Sequence, residues 1–276
     1  MSGDWLSAPV AEPEEPVDFD TSIAHPARVY DYWLGGKDNF EADRIAGSAA
    51  AQANPAILTG VRANRAFLAR AVGLLTGAGI RQFLDVGTGL PSADNTHEVA
   101  QAAAPESRIV YVDNDPIVLA HARALLSSTP EGATAYIDAD ARDVGMVLGK
   151  AAETLDFSQP VAVMALMVMQ YIADADDPHS IIARLVGATA PGSYLVLSDT
   201  VCDVHAEVTS VATARLNERL GPVQLTRRPR AEIGRYFAGL DLVEPGLVPL
   251  NRWRPPPGGT APAEDLPAYC AVGRKP

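Results

Sequence analysis

Residues 82–91 read QFLDVGTGLP and carry the most informative pattern in the chain. An apolar strand, residues 82–86, runs directly into Gly87, Thr88 and Gly89. Glycine at the carboxyl end of a strand permits a tight turn and a close approach of the backbone to a ligand. A turn of this kind also fits a strand-to-helix connection that binds nothing, so the neighbouring segments decide between the two interpretations.

Short apolar segments alternate with helical patterns on either side of this turn. Continuous apolar strands separated by helices indicate a parallel sheet that is covered on both faces. The Pro-rich loop Arg254–Pro262 precedes the last strand and suits an antiparallel return. We therefore expect an α/β, Rossmann-like fold with a seven-stranded, mostly parallel sheet whose last strand is antiparallel. The predicted strands are residues 82–86, 108–113, 134–138, 160–166, 193–198, 240–243 and 268–272.

The chain divides into three predicted parts. Residues 1–20 are rich in Pro and acid and predict a disordered acidic tail. Residues 21–59 predict a helical segment, and residues 60–276 the α/β domain. Helices are predicted at 29–34, 41–53, 60–75, 95–104, 116–126, 144–153, 179–189, 206–220 and 230–237.

Acidic residues follow three of the predicted strands or lie within them. Asp85 lies in the first strand, Asp113 and Asn114 end the second, and Asp140 follows the third. A carboxylate at the end of the second strand can accept both ribose hydroxyls of an adenosine. A carboxylate after the third strand can accept a hydrogen bond from the adenine amino group. Together these residues predict an adenosine-binding site.

Two residues favour S-adenosylmethionine over NAD as the adenosine cofactor. A dinucleotide fold places a third glycine three residues after Gly89, where this chain has Ser92. Asp85 would repel a diphosphate, whereas it suits the cationic amino and sulfonium groups of S-adenosylmethionine. An NAD-dependent oxidoreductase remains the less favoured alternative.

The sequence resembles a known family. It is similar to class I S-adenosylmethionine-dependent methyltransferases, and more specifically to the group first catalogued as DUF574, the S-adenosyl methyltransferases. The resemblance covers nearly the whole chain after the acidic tail. It is carried by Asp20–Ser22, Ala27–Tyr32, Gly35–Phe40 and Gly87–Pro91.

The resemblance implies roles for several residues. Gly87, Thr88 and Gly89 would approach the methionine moiety, Asp113 the ribose, and Asp140 with the Ala141 amide the adenine. Asn114 and Met167 are neighbouring cofactor-site candidates. The Gly-x-Gly-Leu turn also resembles leucine carboxyl methyltransferases and related O-methyltransferases, in which an Arg before the first strand pairs with the cofactor carboxylate. Arg65 or Arg62 is the candidate for that role.

The methyl acceptor would lie beyond the fourth strand. Gln170 and Tyr171 are candidates for orienting it, and many relatives carry a His at the position of Gln170, so a general base there is in doubt. Met167 could equally fill core. His25 is the third catalytic candidate, and it belongs to the segment 21–59, which we expect to close over the cofactor as a lid. The alternative is that this segment docks as ordinary core.

The composition limits the kinds of partner that the protein is expected to bind. The net charge of −12 argues against a nucleic-acid partner, and we interpret the short basic run Arg227–Arg230 as a solvated loop. Cys202 and Cys270 lie far apart, so neither a structural metal site nor a disulfide framework is expected. No secretory signal or membrane span is apparent, which predicts a cytoplasmic protein. The expected acceptor is a small molecule, methylated on oxygen rather than nitrogen. The alternative is a non-catalytic sensor that binds S-adenosylmethionine or S-adenosylhomocysteine.

Overall fold

The structure is a computed structural model that describes residues 20–92, 94–118, 128–256 and 264–276. The predicted acidic tail, except for its last residue, lies outside these ranges. So do most of the helix predicted at 116–126 and most of the loop Arg254–Pro262.

One sheet organises the described residues. Its strand order is β3-β2-β1-β4-β5-β8-β6, and β7 also pairs with β8. Strands β1 to β5 are parallel, whereas β8 runs antiparallel to β5. This confirms the mostly parallel sheet with an antiparallel last strand. The strands are β1 (Gln82–Val86), β2 (Arg108–Asp113), β3 (Ala133–Asp138), β4 (Ala162–Leu166), β5 (Tyr194–Thr200), β6 (Asp241–Leu242), β7 (Val248–Pro249) and β8 (Ala268–Arg274).

The strand count differs from the seven predicted, because β7 adds a short eighth strand. β7 has only two residues, each paired with β8. Two residues cannot show the period-2 alternation by which a strand is recognised in a sequence. The prediction therefore missed a strand that exists only through its pairing with β8.

Helices cover the sheet, and further helices precede its first strand at the N-terminal end of the described residues. Most begin and end within three residues of the predicted bounds, but α3 begins four residues earlier than predicted. The boundary predicted between residues 59 and 60 therefore falls inside α3. The helices whose bounds lie within the described residues are α1 (Pro26–Leu34), α2 (Glu41–Ala53), α3 (Ala56–Gly77), α4 (Thr96–Ala103), α5 (Val144–Ala151), α6 (Pro178–Gly187), α7 (Ala206–Asn217) and α8 (Arg230–Arg235).

Two apolar clusters bury the two faces of the sheet. On one face, α5, α6 and α8 pack against side chains such as Val163 and Leu195. On the other face, α3 and the turn at Trp253 pack against side chains such as Phe83 and Ile109. β1 is buried along its whole length. A strand that is covered on both faces is mainly apolar in sequence, and in β1 only Gln82 and Asp85 are polar.

A third apolar cluster joins the N-terminal helices to the rest of the fold. Val29 and Trp33 of α1 pack with Ala46 and Ala50 of α2 and with Leu216 of α7. This cluster holds α1 and α2 across the carboxyl ends of the parallel strands, where ligands bind in open α/β sheets.

Candidate functional site

A cleft lies at the carboxyl ends of β1, β2 and β4, with α1 and α3 forming its far wall. Its empty space, including solvent-filled space at the open mouth, is about 1360 Å³. The structure brings together in this cleft all ten residues predicted to contact the cofactor: Arg65, Asp85, Gly87, Thr88, Gly89, Asp113, Asn114, Asp140, Ala141 and Met167.

The loop after β1 requires glycine for two separate reasons. Gly87 and Gly89 adopt φ values of +71° and +68°, in the left-handed region that side chains disfavour. A Cβ at Gly87 would also overlap the side chain of Val168. The Gly87 amide donates a hydrogen bond of 2.8 Å to the carbonyl of Val112. The loop therefore runs flat along the edge of the sheet and leaves its outer surface open to the cleft.

Asp85 is a buried carboxyl group at the floor of the cleft. It is 5% exposed, and its Oδ2 accepts a hydrogen bond of 2.6 Å from the Thr96 hydroxyl. Burial raises the pKa of Asp85 to about 6, against the opposing effects of that hydrogen bond and of the Arg65 guanidinium. The cleft thus holds an anion near Arg65, a pair of charges that complements a zwitterion.

Asp113 fastens the glycine loop as well as facing the cleft. Its Oδ2 accepts a hydrogen bond of 2.7 Å from the Gly89 amide, and its Oδ1 one of 3.0 Å from the Asp115 amide. Burial raises the pKa of Asp113 despite these two hydrogen bonds. The carboxylate retains lone pairs beyond those used by the two amides, so it can also accept from a ligand.

Asp140 lies in the cleft with a partner that the sequence analysis missed. Arg142 also lines the cleft, and its Nη2 lies 2.6 Å from the Asp140 Oδ2. Hydrogen bonds from Arg142 lower the pKa of Asp140. The predicted acceptor of the adenine amino group is thus held rigidly by a guanidinium two residues later. The Asp-x-Arg spacing is the signal that could have revealed this pair.

The two arginines considered for the cofactor carboxylate are separated by the structure. Arg65 lines the cleft and donates a hydrogen bond of 2.7 Å to the carbonyl of Asp94. Arg62, three residues earlier on α3, is exposed and does not line the cleft.

His25 joins α1 to the cleft. It lies at the N-cap of α1, and its Nδ1 is 2.8 Å from the Asp115 Oδ2. The Nε of Arg28 lies 3.5 Å from the same oxygen and 3.8 Å from the Oδ1 of Asp43. His25 and Arg28 therefore hold the start of α1 against the loop after β2.

The acceptor-side candidates are divided between two places. Tyr171 lines the cleft, whereas Gln170 lines a second, adjoining cavity and not the cleft. Gln170 is engaged within the protein, since its Nε2 donates to the Met167 carbonyl at 3.1 Å and its Oε1 accepts from the Thr200 hydroxyl at 2.5 Å. Met167 has a positive φ of 58°, a strained conformation often found at functional sites.

The basic run Arg227–Arg230 is not the solvated loop that we expected. Arg228 is buried, at 4% exposed, and donates to the carbonyls of Met169 and Ile172 at 2.9 and 2.6 Å. These carbonyls belong to the 3-10 turn after β4 (Met169–Tyr171) and to its C-cap. The guanidinium is buried because its planar donors are satisfied by these carbonyls and by the Asp174 carboxylate, whose Oδ1 accepts from the Arg228 Nε at 2.9 Å.

No helix within the described ranges is long and apolar enough to cross a membrane. Among the same residues, no group of three or more His, Cys, Asp or Glu side chains is arranged to hold a metal ion.

Comparisons with known proteins agree on one family. The family model for S-adenosyl methyltransferase matches residues 12–276. A DUF574 family protein from Streptomyces avermitilis MA-4680 is 43% identical, with a TM-score of 0.89 over 93% of this chain and 99% of that one. A candidate methyltransferase from Thermobifida fusca YX is 39% identical, with a TM-score of 0.85 over 96% of this chain and 99% of that one.

A more distant structure shares the fold alone. An O-methyltransferase family protein from Burkholderia thailandensis is 13% identical, with a TM-score of 0.52 over 85% of this chain and 60% of that one. No curated protein sequence matches the chain. The family match spans nearly the whole chain and includes every residue of the cleft. The chain belongs to the S-adenosyl methyltransferase family, and its methyl donor is S-adenosylmethionine.

Proposed function

We propose that the cleft binds S-adenosylmethionine and that the enzyme transfers the methyl group to an oxygen atom of a small molecule. The bound cofactor supplies an electrophilic methyl group on its sulfonium. The observation that carries this proposal is the loop at Gly87, which has no room for a Cβ and which Asp113 fastens through the Gly89 amide.

Charged side chains of the cleft match the cofactor's functional groups. Asp85 faces the amino group of the methionine moiety and Arg65 its carboxylate. Because Arg65 lies near enough to Asp85 to lower its pKa, the two side chains suit opposite charges on one small ligand. Met167 completes the wall of the cleft on the side of β4.

The adenosine would occupy the part of the cleft beyond β2 and β3. Asp113 accepts from the ribose hydroxyls, with Asn114 beside it. Asp140 accepts from the adenine amino group through Oδ2, which also accepts from the Arg142 Nη2, because Oδ1 already accepts from both the amide and the Nε of Arg142. The Ala141 amide donates to the adenine ring.

The N-terminal helical segment acts as a lid over this site. Residues 21–59 contribute His25 and Tyr30 to the cleft, and α1 contacts Asp115 through His25 and Arg28. Since α3 begins at Ala56, we place the end of the lid at Pro55. A closed lid excludes water from the reacting groups.

The small-molecule acceptor is supported by charge. A net charge of −12 disfavours a nucleic-acid substrate, and the similarity to O-methyltransferases favours oxygen. Incubating the protein with methyl-labelled cofactor and cell extract separates an enzyme from a sensor. Label on a small molecule supports the enzyme, and label on no acceptor supports the non-catalytic alternative.

Replacing Asp113 tests the cofactor site. Asp113→Asn removes the charge and one of the two backbone hydrogen bonds that the carboxylate accepts, so we expect S-adenosylhomocysteine to bind about ten- to a hundredfold more weakly in calorimetry. The matched control is Asp138→Asn, because Asp138 ends the neighbouring strand, is exposed and does not line the cleft. Equal affinity in the two variants, or tighter binding of NAD than of S-adenosylhomocysteine to the unsubstituted protein, would contradict the proposal.

A further inference from the structure

A second cavity adjoins the cofactor cleft and shares three of its wall residues. Tyr30, Met167 and Tyr171 line both spaces. The second cavity is enclosed by α1, α2, α3 and α7, by the end of β5 and by the start of β8. Its empty space, including its mouth, is about 670 Å³. These three residues therefore form the boundary at which a molecule in the second cavity would meet a ligand in the cleft.

The walls of the second cavity are mainly apolar. Its large apolar side chains include Trp33, Ile57, Val61, Leu216 and Leu225. Polar groups buried in such a space are costly unless they are hydrogen-bonded. The occupant must therefore present mostly apolar surface to these walls.

Most polar side chains of this cavity already have partners. Gln170 bonds to Thr200 and to a backbone carbonyl, Asn54 accepts from the Ala56 amide, and Thr213 donates to the Thr209 carbonyl. Because these groups are hydrogen-bonded within the protein, they offer few hydrogen bonds to a ligand.

Arg227 is the exception among these side chains. Its Nη1 makes a hydrogen bond of 3.3 Å to the Val201 carbonyl. Its Nε is buried and has no hydrogen-bond partner among the described residues. A guanidinium presents its donors in a planar fork that matches a carboxylate. An apolar cavity with one such group selects a ligand that is apolar except for one anionic oxygen group.

The wall shared by the two spaces offers no general base. Burial raises the pKa of the Tyr171 phenol well above its usual range, and the nearby carboxyl of Asp199 raises it further. Tyr30 is likewise a buried phenol with a raised pKa, and its hydroxyl donates to the Val61 carbonyl. Both phenols stay protonated at neutral pH. The acceptor that suits this wall is one that needs no proton removed.

We propose that the second cavity binds the methyl acceptor and that the acceptor is an apolar carboxylic acid whose carboxylate faces Arg227. This inference rests on the proposed function of the cleft. A carboxylate oxygen attacks the methyl carbon, and the electron pair of the breaking carbon–sulfur bond stays on sulfur. The products are a methyl ester and S-adenosylhomocysteine. The negative charge of the carboxylate and the positive charge of the sulfonium cancel, so no proton is transferred.

Two leucine substitutions on α3 test whether ligands occupy the second cavity. An added Cβ at Gly60 meets no atom within 4 Å, and Gly60 lines the cavity. Gly60→Leu therefore starts a larger side chain in open space at the wall of the cavity. Gly73→Leu is the matched control, because Gly73 lies on the same helix, is exposed, and also leaves room for a Cβ. In both variants the loss of glycine favours the helix.

The probes are octanoate and 2-naphthoate, each compared with its alcohol, and binding is measured by calorimetry in the presence of S-adenosylhomocysteine. We expect the carboxylates to bind at least tenfold more tightly than the alcohols. Gly60→Leu should abolish binding of both kinds of probe, and Gly73→Leu should leave it unchanged. Carboxylates that bind no more tightly than the alcohols, or that bind Gly60→Leu normally, would overturn the proposal.

Substitution of Arg227 tests the charge. Arg227→Gln should weaken carboxylate binding at least tenfold and leave alcohol binding unchanged, while Arg227→Lys should retain part of the carboxylate preference. Equal carboxylate binding in Arg227→Gln and the unsubstituted protein would overturn the assignment to Arg227. Titration with S-adenosylhomocysteine alone keeps the two proposals distinct, because its failure to bind the unsubstituted protein would overturn the cofactor site instead.

Discussion

At the scale of single residues, the burial of Asp199 makes the stability of the fold depend on pH. Its side chain is 1% exposed at the end of β5, where Oδ1 accepts from the Thr200 amide at 2.8 Å and Oδ2 has no hydrogen-bond partner among the described residues. Burial raises the pKa of Asp199 to about 7, although Arg227 and Arg228 oppose the shift. The folded protein therefore binds this proton more tightly than the unfolded chain does.

Asp199→Asn should become more stable relative to the unsubstituted protein as pH rises. A raised carboxyl pKa stabilises the fold below the unfolded pKa of 3.8, and that contribution is lost as pH rises through the folded pKa near 7. The loss is about 1.4 kcal/mol per pH unit. Asparagine keeps the Thr200 hydrogen bond and does not titrate. Urea unfolding of both proteins from pH 4 to 8 should show the difference growing to about pH 7 and then levelling.

Asp156→Asn is a control, because the pKa shift of the Asp156 carboxyl group has the opposite sign to that of Asp199. Asp156 is exposed, and hydrogen bonds from Ser158 lower its pKa. Its replacement should gain no relative stability with rising pH. A flat difference for Asp199→Asn over the same range would show that its carboxyl group is ionised in the folded protein at every pH tested.

Residues that the local backbone geometry requires were predictable from the sequence, whereas residues whose role depends on distant partners were not. Gly87 follows from the turn that it makes, because no other residue fits its backbone and its contact with Val168. Arg228 was misread because basic neighbours in a sequence look like a charged surface. The carbonyls that bury it belong to residues more than fifty positions earlier.

At the scale of elements, the contact between α1 and the loop after β2 depends on Asp115. Its pKa is raised by burial, but hydrogen bonds from His25 and the Ile117 amide, together with the charge of Arg28, lower it overall. Asp115→Asn leaves His25 and Arg28 without this carboxylate, although Asp43 remains 3.8 Å from Arg28. Removing one partner of a buried ion pair costs about 3–5 kcal/mol.

Hydrogen exchange should therefore report a loosened α1. In Asp115→Asn, amides of Pro26–Leu34 should exchange at least tenfold faster, and S-adenosylhomocysteine should slow them again. Asp265→Asn is the control, because its ion pair with Arg252 is exposed and contributes at most about 1 kcal/mol. Unchanged exchange in α1 would mean that the apolar cluster at Trp33 alone holds the helix, and the lid would then not depend on this contact.

Element boundaries were predictable where the chain carries a local signal. α2 has the predicted bounds, since Pro follows its end by two residues. α3 begins four residues before the prediction, at Ala56, with Pro55 at its N-cap and with the Ala56 amide donating a hydrogen bond to the Asn54 Oδ1. Asn-Pro before an apolar run is a helix-start signal, so this start could have been recognised.

At the scale of the whole molecule, sheet order was accessible from the sequence and the second cavity was not. Alternation of strands and helices restricts the topology to a few possibilities. The second cavity draws its walls from Trp33, Ile57, Tyr171, Leu216 and Arg227, which no local pattern relates. Such a space is set by the packing of α1, α2 and α7 across the sheet edge.

The same packing predicts that lid and sheet unfold together. Tyr30 of α1 accepts from Asn64 of α3 at 3.0 Å, and Asn64 accepts from Ser198 of β5 at 2.7 Å. Together with the apolar cluster around Trp33, this chain of hydrogen bonds joins the N-terminal helices to the centre of the sheet. Coincident transitions from different probes are the test of such cooperativity.

Two single-tryptophan variants supply the probes. Trp5→Phe with Trp253→Phe leaves Trp33 in α1, and Trp5→Phe with Trp33→Phe leaves Trp253 beside the sheet. In each variant the fluorescence midpoint should coincide with that from circular dichroism. At a hundred times its Kd, S-adenosylhomocysteine adds about 2.7 kcal/mol and should raise both midpoints by about 5–10 °C. A Trp33 transition that precedes the loss of circular dichroism would contradict this prediction. It would mean that the N-terminal helices unfold as a separate unit and are held to the sheet only by bound ligand.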